Sequence, residues 1–116
     1  MTGRRSQIES LSNPLIKRMR LLREKRHRRA ERLFLAEGLR IATEAREAGI
    51  LPLWLFLGPE GDSHPLAAAL VGDTLAAGGE VIDTIAAVAV MLGCVATAAF
   101  AAMRGEAGYI HHMRQL

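Results

Sequence analysis

Nine lysines and arginines fall between Lys17 and Arg32, and Glu24 stands nearly alone as an acid among them. Ammonium and guanidinium groups at this density bind phosphates by charge, and arginine adds forked hydrogen bonding. Nucleic acid is the first partner this pattern suggests. An anionic membrane, an acidic protein surface, or simple solvation of a charged helix face are the alternatives, and charge alone does not separate RNA from DNA. Other residues with chemical potential are less well placed. Glu37-Gly38 with Arg40 has no second convergent group, so it reads as a helix opening with a binding arginine. His111 and His112 are adjacent and lack a third ligand, so no metal site is expected. Cys94 sits in an apolar run with no basic activator, which reads as an inert buried thiol. Trp54 and Phe56 are two apart on one strand face and suit packing better than base stacking. No glycine-rich phosphate loop, zinc-ligand spacing or Ser/His/Asp arrangement is present.

The chain that must position the basic stretch has 116 residues, 50% of them hydrophobic and 23% charged. This fits one small globular domain and argues against disorder. The net charge of +3 hides a strong asymmetry. Residues 1–40 hold twelve Lys and Arg against four Asp and Glu, a net of +8, and residues 41–116 hold three against eight, a net of −5. Such a dipolar chain offers a polyanion its amino-terminal part. A single cysteine excludes an internal disulfide, and the basic amino end is not followed by the apolar core of a signal peptide. A cytoplasmic protein is expected. Residues 85–103 are uncharged and long enough to span a bilayer. They are mostly alanine, so a helix, a break at Gly93 and a buried strand is the first reading, with a membrane span as the alternative.

Residues 1–7 read as a loose basic tail. Asn13 followed by Pro14 is a helix start, with Asn13 as the cap and Pro14 at the first helical position. Leu15, Met19 and Leu22 mark one buried stripe of a helix running to about Arg29, with Lys17, Arg20, Lys25, His27 and Arg28 turned largely away from it. Leu33 to Ala36 suits a buried central strand. Glu37 then caps a second helix through its carboxylate, and Gly49 ends that helix. Pro52–Leu57 and Glu80–Asp83 read as strands, 65–77 as a helix between them, and Asp83 or Thr84 as the cap of a fourth helix reaching Leu92. A last strand falls within Val95–Ala101. Strands alternating with helices predict an α/β domain with a mainly parallel sheet.

The residues Ile8-x-Ser10-x-x-Asn13-Pro14-x-Ile16-Lys17, the basic helix with Arg28, Phe34-Leu35-x-Glu37-Gly38-x-Arg40 and Glu44-Ala45 resemble the amino-terminal substrate-binding domain of the TrmH/SpoU RNA methyltransferases. The resemblance covers residues 7–60 well and 61–90 loosely. It implies a three-layer α/β/α sandwich, similar to small ribosomal proteins that bind kinked RNA. It also implies a structured RNA partner, ribosomal or transfer RNA. In that family a knotted SPOUT domain of about 150 residues follows. That domain binds S-adenosylmethionine, forms the dimer and methylates a ribose 2′-hydroxyl. Its motifs do not occur in this sequence, and residues after Leu92 depart from the family pattern. The expectation is therefore a binding domain over 8–102, a tail over 103–116, no SPOUT knot, no cofactor held by this chain and no catalytic residue. The oligomeric state is left open, because the knotted domain would carry the family's dimer interface. Carried over by motif, Lys17, Arg28 and Arg40 are expected to face RNA, with Arg20 beside them on the basic helix. Asn13 and Glu37 are expected to act as structural caps.

Overall fold

The computed structural model describes residues 3–91 and 99–103. Alternation within the strands dictates its layering. In β3 (Trp54–Leu57), Leu55 and Leu57 face one way and Phe56 the other, and all three are buried. A strand covered on both faces needs helices above and below it. Those helices come from α1 (Pro14–Leu21), α2 (Lys25–Glu31), α3 (Leu39–Glu47), α4 (Pro65–Ala76) and α5 (Ala86–Met91). The other strands are β1 (Arg4–Ile8), β2 (Phe34–Glu37), β4 (Glu80–Thr84) and β5 (Ala99–Met103).

The strands form one sheet in the order β1-β4-β3-β5-β2. β1, β4 and β3 are mutually parallel, with Arg4 and Trp54 both opposite Glu80. β5 runs antiparallel between β3 and β2, so four of the five strands share one direction. On one face Phe56 and Ile82 pack with Ile16, Met19 and Leu22, with Leu33, and with Val88 and Ala89 of α5. On the other, Leu55, Leu57, Val81, Phe34 and Ala36 pack with Ala42 and Ala45 of α3 and with Leu70 and Val71 of α4. This is the three-layer α/β/α arrangement.

The structure departs from the sequence reading in several places. Residues 4–8 are a strand, not part of a loose tail. Its residues Arg4 to Gln7 are exposed, so backbone pairing to β4 places it, and apolar patterning could not reveal it. Arginines on an edge strand also discourage pairing with another chain. At the start of this strand the backbones approach closely: a Cβ on Gly3 would collide with the Gly79 carbonyl oxygen. β2 lies at the end of the described sheet, not at its centre. Its Phe34 and Ala36 are buried with α3 and α4 on one face, while Leu35 is half-buried against the opposite cluster. Within residues 85–103, Ala86–Met91 form α5 and Ala99–Met103 form β5, and β5 is paired on both sides. No helix among the described residues is long and apolar enough to cross a membrane. Thr84 donates to the Leu57 carbonyl at 2.7 Å, tying β4 to β3 instead of capping α5.

β1 is also held by charge. Arg5 donates from Nε and Nη2 to the two carboxylate oxygens of Asp83 at 2.8 and 2.9 Å, and from Nη1 to Asp62 at 3.1 Å. The hydrogen bond from Arg5 holds the Asp62 carboxyl below its usual range. A carboxylate whose folded pKa is depressed contributes stability above its unfolded pKa, and that contribution is lost as pH falls through the folded value. Asp62→Asn should therefore lower Tm at neutral pH, and the gap to the wild type should close as pH falls below about 4. Thermal scans across the acid limb check this. A gap that persists in acid would show that Asp62 acts by something other than its charge.

Candidate nucleic-acid interface

Local sequence sets the basic surface. Asn13 Oδ1 accepts from the Leu15 N–H at 2.9 Å, and Pro14 takes the first position of α1, where its missing N–H costs nothing. Ile16, Met19 and Leu22 go into the core, each no more than 1% exposed. Leu15, placed in the stripe by the sequence reading, is only half-buried, and Ile16 takes the deep position. This stripe turns Lys17, Arg20 and Leu21 outward. With Arg23 and Glu24 they line an open groove of about 580 Å³.

The basic stretch is two helices, not one. α1 ends at Leu21, Leu22 caps it, and α2 starts at Lys25. Such an elbow leaves carbonyls without helical partners. Arg28 fills that need: its Nη1 donates to the Leu22 oxygen at 3.0 Å and to the Arg23 oxygen at 2.6 Å. Arg28 is thus engaged with the chain's own backbone. Arg28→Ala leaves both carbonyls without that donor and should cost about 1–3 kcal/mol. Urea unfolding monitored by circular dichroism measures it, and a wild-type midpoint would contradict this bracing role.

The remaining cations divide by their partners. Arg18 pairs with Glu31 at 2.6 Å, Arg26 with Glu24 at 3.1 Å, and Arg23 with Glu37 at 3.6 Å. His27 also lies 3.5 Å from Glu24. Lys17, Arg20, Lys25, Arg29 and Arg32 are exposed and make no ion pair or side-chain hydrogen bond among the described residues. Arg32 closes α2 in the left-handed region at φ 56°. Lys17 and Arg20 lie on α1, Lys25 and Arg29 on α2, and Arg32 at the end of α2 away from the elbow. Of the four cations expected to face RNA, Lys17 and Arg20 belong to this set, and Arg28 braces the elbow. Arg40 sits on α3, 86% exposed and 3.4 Å from Glu44. It lines a separate cleft of about 210 Å³ with Glu37, Ile41 and Glu44.

Glu37 does not cap α3. It ends β2, its side chain reaches Arg23, and Gly38 occupies the cap position with φ 98°, a conformation that favours glycine. The Arg23–Glu37 pair joins the elbow groove to the Arg40 cleft. The sequence reading also passed over Arg18, whose guanidinium lies 4.8 Å from the Trp54 ring centroid while it pairs with Glu31. Glu31, the second acid of the basic stretch, was the available signal. Among the described residues no group of three or more His, Cys, Asp or Glu is placed to hold a metal. Cys94, His111 and His112 lie outside the described residues.

Residues 13–92 match the family model described as the MRM3-like substrate binding domain. The chain belongs to this family. The MRM3-like domain is similar to the crystal structure of an rRNA methyltransferase from Sinorhizobium meliloti, with 25% identity and a TM-score of 0.72 over 90% of this chain and 38% of that one. An AdoMet-bound structure of rRNA methyltransferase from the same organism aligns at 25% identity and TM-score 0.70, covering 88% and 37%. A crystal structure of an RNA 2′-O ribose methyltransferase aligns at 30% identity and TM-score 0.67, covering 87% and 38%. This chain therefore spans 38% or less of the length of these solved relatives. No curated protein matches.

A further cleft of about 270 Å³ lies between Leu51–Trp54 and Ala77–Glu80.

Proposed function

We propose that this MRM3-like domain recognises structured RNA, ribosomal or transfer RNA, for a cytoplasmic RNA 2′-O-ribose methyltransferase of the TrmH/SpoU type. S-adenosylmethionine-dependent methyl transfer belongs to a separate domain. The observation that supports this reading is the set of five exposed cations on α1, on α2 and at the end of α2, with no ion pair among the described residues. A carboxylate partner must be displaced before a cation can meet a phosphate, and these five have none to displace. Lys17 and Arg20 lie on α1, Lys25 and Arg29 one turn apart on α2, and Arg32 just beyond it. Such contacts set the position and orientation of an RNA backbone and leave sequence or shape selection to other groups.

Fluorescence anisotropy with a labelled stem-loop RNA tests the reading. Five neutralised phosphates predict a slope of about −4 in log K against log salt. S-adenosylmethionine titrated into the same sample should give no signal of binding. A folded chain that shows no RNA binding at low salt, or binding indifferent to salt, would overturn the proposal.

A further inference from the structure

α2 is an unusual helix to find well placed. It has seven residues and none of them is buried. A helix this short is not stable alone, and packing of an apolar face normally holds it. Here the buried anchors flank it: Leu22 before the elbow and Leu33 after the helix. Arg28 braces the elbow end through the Leu22 and Arg23 carbonyls. At the far end the side-chain tie to α1 is Glu31, which accepts from Arg18 Nε at 2.7 Å and lies 2.6 Å from Arg18 Nη2. Arg18 rests over the half-buried ring of Trp54, the first residue of a core strand.

We propose that Arg18 and Glu31 are positioning residues: their ion pair, seated on Trp54, fixes α2 relative to α1 so that the free cations of both helices meet one RNA backbone. This rests on the RNA-binding reading. Surface ion pairs contribute little to stability, and this pair is 43% and 30% exposed. Its consequence is therefore geometric. Without it, Lys25, Arg29 and Arg32 ride on a helix held only at its elbow and its flanks. Binding must then order that helix, which weakens affinity without unfolding the domain.

The sign of one substitution separates this role from simple electrostatics. Glu31→Gln deletes a negative charge beside the cation set and reduces the tie to Arg18 to at most a neutral hydrogen bond, so a charge effect alone predicts tighter RNA binding. Positioning predicts weaker binding, by about tenfold, with a shallower salt slope because fewer cations of α2 engage. Glu31→Asp keeps the charge but shortens the reach. It should also weaken binding, whereas an electrostatic role predicts no change. Both variants of the full chain are measured by anisotropy with the stem-loop RNA, at unchanged circular dichroism and Tm. Wild-type or tighter binding by folded Glu31→Gln overturns the proposal; should that variant not fold, wild-type affinity in Glu31→Asp does so. Failure of the wild type to bind RNA would instead overturn the functional reading beneath it.

Discussion

The combined variant Lys17→Ala, Arg20→Ala, Lys25→Ala and Arg29→Ala is expected to bind stem-loop RNA about a hundredfold more weakly than the wild type at physiological salt. All four side chains are exposed and make no ion pair among the described residues. Their loss removes no described packing or ion pair, so Tm should stay near the wild-type value. Each phosphate no longer neutralised costs several-fold in affinity and lowers the salt slope by about one. Four such losses give both the hundredfold change and a slope near zero to −1. The two affinities should then converge as salt approaches about 1 M, because the difference is counterion release. Arg26→Ala is the matched control. Arg26 is exposed but already paired with Glu24, so it has no free donor to offer a phosphate and its removal should leave the salt slope nearly unchanged. Equal RNA affinity in the folded quadruple variant and the wild type would place the RNA surface elsewhere.

What the sequence made legible follows from the physics that sets each element. The strands β3 and β4 were visible because burial on two faces forces apolar residues at their centres, and the helix α4 because Ala and Leu dominate a run closed by Gly78-Gly79. Asn13-Pro14 was visible because a helix start needs an acceptor side chain and tolerates a missing N–H. β1 was not, because an edge strand held by backbone pairing and by Arg5 on Asp83 needs no apolar residue. The elbow was hidden for a related reason. Lys25 to Glu31 is a continuous run of helix-tolerant residues, and the break is stabilised by Arg28 reaching back to two carbonyls, a contact that composition does not encode. At the candidate interface, charge density located the surface. It could not divide cations that are free, such as Lys17 and Arg20, from those that brace the fold, such as Arg18 and Arg28. That division depends on acceptors 5 to 13 residues away in sequence, which only the folded chain brings near.

Phe56→Ala should be the most damaging single change to stability among the described core positions. The side chain is fully buried at the centre of the sheet face that receives Ile16, Met19 and Leu22. Its neighbours on β3, Leu55 and Leu57, belong to the opposite face, so they cannot move in to fill the space. Loss of the ring removes its transfer free energy and leaves a cavity, together about 3–5 kcal/mol. For a domain of this size the loss corresponds to a fall in Tm of roughly 10–20 °C. Against a typical total stability of about 5–15 kcal/mol, it brings the domain close to its unfolding limit. Leu66→Ala, at a residue 44% exposed on α4, is the control and should leave Tm nearly unchanged. Calorimetry on both variants checks the contrast. Below its transition the Phe56→Ala variant should still bind stem-loop RNA, because the exposed cations of α1 and α2 lie outside the core. A variant that keeps its Tm would mean that α1 does not rest on this strand. A folded variant that loses RNA binding would show that the cation array depends on the ring beneath α1 as well as on its own surface contacts.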